Sequence, residues 1–373
     1  MNQVSQPDER LQPAFDDQEP RFARVFARIR DAIEQRAFPG AALAVTHRGA
    51  LIASQGFGRF TYDSPSPEVD AGTVFDLASL TKVVATTATA MVLYERGLLQ
   101  LESPVAGILP DFLTLALPEQ RAEREAVTLR MLLTHSSGLP AYVKLFETAR
   151  TRDELIRAAL ATPLVTDPGS KADYSDIGFI LLGEILEHLA GSLLDVLAKN
   201  EIFAPLGMSR TCFNPPAEWK SEIPPTEDDR KFRHRVVQGE VNDENAWVMG
   251  GAAGHAGLFA SASDVARFAH CMLRGGSPIL QPTTVELFTR REASPEGTSR
   301  ALGWDTPTSP SSSGAHFSTR SFGHLGFTGT SLWIDPDRQL SVTLLTNRTW
   351  PDRSAQAIKK IRPLVHDAIV EAL

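Results

Sequence analysis

The sequence predicts an α+β protein in which both ends of the chain build one antiparallel sheet, the terminal helices flank it, and a mainly helical domain is inserted between them. Three observations lead there. A hairpin pattern follows the first amphipathic segment; three strand-like runs and a second amphipathic segment close the chain; and the periodic segments in between are helical.

The first 20 residues, MNQVSQPDERLQPAFDDQEP, are rich in Pro, Gln and Asp and carry no periodicity, so residues 1–20 are expected to form a solvated, disordered arm. Phe22, Val25, Phe26, Ile29 and Ile33 then recur at helical spacing until Phe38-Pro39-Gly40 breaks the pattern. AALAVTH and ALIASQGFG read as two strands joined across Arg48-Gly49. At the far end HLGFTG, SLWID and LSVTLLTN are strand-like, and Asp335-Pro336-Asp337 is a turn. Ile358, Ile361, Val365, Ala368 and Ile369 form the apolar stripe of a closing helix.

An isolated hairpin is not stable in water, so the terminal strands are expected to share one sheet, which brings the two ends of the chain close together. That places the sheet domain at 21–78 and 300–373 and the helical domain at 79–299, with a site at their interface. Within the insertion, Val83 to Glu95, Arg152 to Ala161, Ile177 to Ala190 and Ala262 to Leu273 read as helices. Pro215 to Asp229 and Thr306 to Ser313 read as surface loops, and no internal repeat is present.

Composition narrows the function. Hydrophobic residues at 42% and charged residues at 22% are ordinary for a soluble globular chain. A net charge of −8 without a basic run argues against nucleic acid as a partner. No stretch reaches the ~18 apolar residues of a membrane span, so no membrane partner is expected. The N-terminus lacks a basic segment leading into an apolar one, and a cytoplasmic location is expected. Cys212 and Cys271 make no disulfide framework and no zinc spacing, and the nine histidines include no H-E-x-x-H. No metal or cofactor is therefore expected, and His135 and His255 read as structural or loop residues. Oligomeric state leaves no mark in the sequence.

Three segments carry chemistry. In FDLASLTKVVATTATAMVLYE, Ser79 and Lys82 stand one helical turn apart, a hydroxyl beside an amine that can take its proton. With serine common, an S-x-x-K spacing alone says little, but Lys82 is one of only eight lysines and the sole basic residue of an apolar helix until Arg96. In ADYSDIGFILLGEILEHLAG, Tyr174 and Asp176 stand at a helix entrance, where simple capping by Asp176 or Ser175 explains them equally well. In FGHLGFTGTSLWIDP, His324, Gly326 and Gly329 punctuate a strand; the glycines fit either a backbone approached by ligand or a bulge.

In order and spacing these segments resemble the S-x-x-K, Y-x-N and K-T-G motifs of class C β-lactamases, D-Ala-D-Ala carboxypeptidases and their esterase relatives. TLRMLLTHSSGLP, GLFASASDVARFAHCML and NDENAWVMGGAAGHAGLF extend the likeness from about residue 22 to the end. The resemblance implies a β-lactamase/transpeptidase-like fold and a serine hydrolase working through an acyl-enzyme. Ser79 would be the nucleophile, Lys82 and Tyr174 would share proton transfer, and the N–H groups of Ser79 and Phe327 would hold the oxyanion. The implied partner is a small-molecule ester or lactam.

Two departures refine this. Asp176 stands where Asn is usual and, if ionised, favours a charged Lys82, leaving more of the proton transfer to Tyr174. His324-Leu325-Gly326 replaces K-T-G, removing a cation that would meet a substrate carboxylate. A carboxylesterase on short-chain esters, with weak β-lactamase activity beside it, is therefore expected first, a β-lactamase or D-alanyl-D-alanine carboxypeptidase/D-aminopeptidase second, and a non-catalytic penicillin-binding-like module third. An α/β-hydrolase is set aside because G-x-S-x-G is absent. Tyr142, Trp247 and Trp304 stand as pocket aromatics outside the site set.

Overall fold

The structure is a computed structural model that describes residues 11–373. Its main sheet takes strands from both ends of the chain: β1 (Gln12–Pro13), β2 (Gly40–His47) and β3 (Ala50–Gly58) from one, β9 (Phe322–Leu325), β10 (Ser331–Asp335) and β11 (Leu340–Thr346) from the other. The order is β1-β3-β2-β11-β10-β9. The seam is the antiparallel pairing of β2 with β11, where Val45 stands opposite Val342.

Period-two alternation sorts the strand residues between two apolar layers. Leu43, Val45, Val342 and Leu344 face the helices Ala23–Glu34 and Ile358–Glu371, whose Val25, Phe26, Ile29, Val365 and Ile369 complete a fully buried layer. Each such side chain contributes about 1.5–3 kcal/mol by leaving water. Ala42, Ala44, Leu332 and Leu345 face the other way and join the larger core, which includes Val265, Ala266 and Phe268 of the helix Ala262–Leu273. That helix therefore packs on the sheet, although the sequence reading grouped it with the helical insertion.

The antiparallel sheet built from both chain ends is present, with one amendment: β1 joins β3 in parallel. The first ten residues of the expected arm lie outside the described residues. Beyond them residues 11–20 are mostly exposed, as expected, but they are structured: Leu11 is buried, β1 pairs with the sheet, and the Gln18 side chain accepts from the Ser54 N–H at 3.2 Å. Backbone pairing, which needs no apolar periodicity, holds this segment.

Three further differences matter near the site. The expected helix from Val83 begins as a wider π-helical stretch, Lys82–Thr87, before Ala88–Glu95 turns α-helical. The expected strand through Gly329 stops at Leu325, and Gly326 to Thr330 form a loop. Five short strands also went unread: β4 (Val74–Asp76), β5 (Thr211–Phe213) and β8 (Leu258–Ser261) form a small sheet, and β6 (Glu227–Asp229) pairs with β7 (Arg235–Val237). Three- and four-residue strands are too short to show alternation. The small sheet positions the site, because β4 runs directly into the Ser79 turn.

Candidate active site

Ser79 sits in a tight turn, Ala78–Leu80, that β4 delivers to the junction of sheet and helices. Ala78, the residue before it, holds φ at +47°, a left-handed conformation that an L side chain enters only under constraint. Asp76 supplies part of that constraint: its two carboxylate oxygens accept the Ala78 N–H at 2.8 Å and the Asn242 N–H at 2.7 Å. Burial pushes this carboxyl up to about 6. From the opposite side Thr328 and Thr330 donate their hydroxyls to the Asp76 and Leu77 carbonyls at 2.8 and 2.9 Å. Four bonds thus fix the turn that presents Ser79.

Lys82 Nζ lies 3.1 Å from Ser79 Oγ, 2.7 Å from Asp176 Oδ1 and 2.9 Å from the His255 carbonyl, and its side chain is fully buried. The Tyr174 hydroxyl donates to Ser79 Oγ at 2.7 Å. The structure therefore brings Ser79, Lys82, Tyr174 and Asp176 into one hydrogen-bonded cluster. Ser175, not Asp176, caps the helix Asp176–Ala190 by accepting the Gly178 N–H at 3.0 Å, which leaves the Asp176 carboxylate for Lys82.

The electrostatics run against one expectation. Burial lowers the Lys82 ammonium below its ordinary value even though Asp176 opposes it. Burial first, then the Asp176 charge, raises the Tyr174 phenol well above its ordinary value. Asp176 thus does not turn Tyr174 into the easier base; burial disfavours the charged form of both the amine and the phenol.

His135 holds Tyr174 in place. At φ +57° its ring lies 4.8 Å from the Tyr174 ring and 5.0 Å from that of Phe179, and Nδ1 accepts the Ser175 N–H at 3.0 Å. Burial, then the charges of Arg300 and Lys82, keeps this imidazole neutral. On the other side of Lys82, His255 Nε2 bonds Asp243 Oδ1 at 2.8 Å, so that His255 orients the carbonyl that Lys82 uses. Both histidines are structural, as the sequence reading held, but they structure the site itself.

The opposite wall comes from β9 and the loop after it. His324 is buried and its Nδ1 donates to the Leu325 carbonyl at 2.8 Å, leaving Nε2 as an acceptor without a partner among the described residues. Burial, then the charges of Lys82 and Arg300, lowers this imidazole to about 3. A Cβ at Gly326 would overlap Thr330 Oγ1 and the Leu77 carbonyl, so glycine there lets the loop press against the Ser79 turn. Phe327 is half exposed beneath the Arg348 guanidinium, 4.5 Å from its ring, and its N–H meets no acceptor among the described residues.

These groups line a cleft of about 520 Å³ that also holds Tyr142, Asp243 and Arg300. Trp304 is instead a fully buried core residue, and Trp247 stacks edge-on against Phe232 outside the cleft. Arg300 was missed in the sequence. Its guanidinium lies 5.8 Å from the Tyr174 ring and, among the described residues, reaches one carboxylate, Asp305, at 3.7 Å. The cleft thus keeps a cation despite the missing K-T-G lysine. Asp76 was missed as well, though its place three residues before the nucleophile was a usable signal.

A buried amine, a phenol and a constrained serine at the junction of an antiparallel sheet and a helical region define a serine hydrolase of the β-lactamase/transpeptidase fold. The chain belongs to the Beta-lactamase family, which residues 25–365 match. It is 33% identical over 348 residues to the "N-acetylmuramyl-L-alanine amidase" of Bacillus subtilis (strain 168), covering 83% of this chain and 77% of that protein. It is 34% identical over 326 residues to a Salmonella agona (strain SL483) protein named "Putative D-alanyl-D-alanine carboxypeptidase", covering 79% and 73%. In structure it resembles "EstCE1, a hydrolase with promiscuous acyltransferase activity", with a TM-score of 0.74 at 21% identity over 94% of this chain and 99% of that one.

Proposed function

We propose that the chain hydrolyses small esters through an acyl-enzyme on Ser79. The observation that carries this is the pair of bonds on one oxygen: Ser79 Oγ lies 3.1 Å from Lys82 Nζ and 2.7 Å from the Tyr174 hydroxyl. A neutral Lys82 is one protonation state that satisfies the whole cluster. With Lys82 neutral, its two N–H groups serve Asp176 and the His255 carbonyl, and its lone pair accepts the Ser79 O–H. Ser79 Oγ then accepts the Tyr174 O–H.

Acylation follows from that arrangement. Ser79 Oγ bonds to the substrate carbonyl carbon while its proton passes to Lys82 Nζ. Negative charge on the carbonyl oxygen is met by the Ser79 and Phe327 N–H groups. As the carbon–oxygen bond to the leaving group breaks, Tyr174 supplies its proton and recovers one from Lys82. Water then attacks the acyl carbon, gives up a proton through the same pair, and releases the acid and free Ser79.

Neutral esters rank first because His324 presents an uncharged acceptor where the related motif has a cation, and Asp305 offsets part of the Arg300 charge. Arg300 favours a second reading, an amide or lactam that carries a carboxylate next to the scissile bond, in keeping with the names of the sequence relatives. The test is a panel of p-nitrophenyl acetate and butyrate, nitrocefin and D-amino-acid amides on wild type and Ser79→Ala, with fluorophosphonate labelling of both. Turnover of the esters, lost together with labelling in Ser79→Ala, is expected. A wild type that takes no label and turns over nothing would leave the protein as a binding module.

A further inference from the structure

The C-terminal helix Ile358–Glu371 lends Ile358, Lys359 and Arg362 to the cleft. Arg362 is only 5% exposed, and its Nη2 donates to the Gly326 carbonyl at 2.9 Å and to the Thr330 carbonyl at 2.8 Å. No carboxylate pairs with it among the described residues, and its Nε has no partner. Burial and the neighbouring Arg348 lower this guanidinium to about 9, which leaves it charged at neutral pH. An unpaired buried charge is expensive, and an apolar side chain of similar length would fill the space at less cost.

The carbonyl it grips explains its presence. Gly326 C=O and Phe327 N–H belong to the same peptide group. A peptide is planar and trans, so C=O and N–H point in opposite directions, and fixing one fixes the other. A cation donating to the oxygen also draws electron density from the amide and makes the N–H a stronger donor. The Gly329 N–H shares the Gly326 oxygen at 3.1 Å, and Arg348 Nε holds the next carbonyl, that of Phe327, at 2.7 Å. The loop is therefore held from behind, and the Phe327 N–H is left without an acceptor among the described residues.

We propose that Arg362 is a positioning residue for the oxyanion site, acting through the Gly326–Phe327 peptide to aim and polarise the Phe327 N–H. The proposal rests on the reading of Ser79 and Phe327 as the oxyanion donors. Its benefit falls on the tetrahedral state, where the carbonyl oxygen carries charge, and hardly on the bound ester.

The experiment compares Arg362→Lys, Arg362→Gln and Arg362→Met with wild type. Measured are kcat and KM for p-nitrophenyl butyrate, phenylboronic acid affinity, the fraction titrated by a fluorophosphonate, and the melting temperature. Per titrated site, Arg362→Met is expected to lose about 10–100-fold in kcat with little change in KM, and boronate affinity is expected to fall in parallel. Arg362→Gln, which keeps donors without charge, falls in between, and Arg362→Lys recovers part of the loss. Unchanged kcat and boronate affinity per titrated site would overturn the proposal, as would a loss confined to the titrated fraction or failure of all three variants to fold. A wild type that binds neither phenylboronic acid nor fluorophosphonate would instead defeat the acyl-enzyme reading itself.

Discussion

Lys82 Nζ and Asp176 Oδ1 stand 2.7 Å apart, the amine completely buried and the carboxylate still touching the cleft. Burial and this carboxylate act on Lys82 in opposite directions, and burial prevails. The base must be neutral to accept the Ser79 proton, so kcat/KM should rise with pH through an ionisation below the ordinary lysine value. Asp176→Asn removes the group that favours the ammonium, which moves this acid limb to lower pH. A limb that stays in place or moves up in Asp176→Asn, measured by kcat/KM between pH 5 and 10 on p-nitrophenyl butyrate, would show that Lys82 is not the titrating base.

Asp76 ties stability to pH in a different window. Its folded carboxyl stands near 6 against an unfolded value of 3.8, because burial penalises the charge. The stability it contributes is full below about 4 and is lost as pH rises through about 6. Asp76→Asn cannot ionise, so its melting temperature relative to wild type should improve from pH 4 to pH 7. The amide still misplaces one bond, since its NH2 faces a backbone donor at either Ala78 or Asn242, a penalty of about 1–3 kcal/mol at every pH. A wild-type-to-variant difference that is flat with pH, or that changes in the other direction, would remove Asp76 as the source.

Much of this site was legible in the sequence, and the part that was not has a physical reason. Ser79 and Lys82 are marked by a lysine in an apolar helix one turn from a serine, whereas Tyr174 and Asp176, which capping explained equally well, were picked out by the likeness to the Y-x-N motif. The sheet was legible because β2, β3, β10 and β11 are long enough for apolar runs and turns to show. Arg300 was not, since it lies in an irregular polar segment whose place in space follows from no periodicity. Nor was the protonation balance of Lys82 and Tyr174, which is decided by how completely the fold excludes water from both. Arg362 looked like one more polar position on an amphipathic helix, and only the loop packed over it gives that position a purpose.

His324 can be checked as an uncharged acceptor on the far wall. Burial and the nearby cations hold its imidazole near 3, so it carries no charge anywhere between pH 5 and 8. His324→Gln keeps an uncharged acceptor, and its kcat/KM profile should have the same shape as that of wild type. If the substitution abolished a limb centred between pH 6 and 7, His324 would be titrating in the working range and the case for an uncharged acceptor at this position would fail.

Arg300 decides between the two substrate readings. Its one carboxylate partner among the described residues, Asp305, is at 3.7 Å, so a substrate carboxylate can compete for the guanidinium. If such a substrate is used, Arg300→Ala removes one charge-assisted bond of about 1.5–3 kcal/mol, which appears as a 10–100-fold loss of kcat/KM. The same change should alter kcat/KM for p-nitrophenyl acetate by no more than about 3-fold, because that ester offers no anion to bind. The two outcomes separate cleanly when nitrocefin and the acetate are assayed side by side on one preparation. Equal losses on both would assign Arg300 to the Tyr174 environment, where its guanidinium also lies, and would withdraw it as the carboxylate contact.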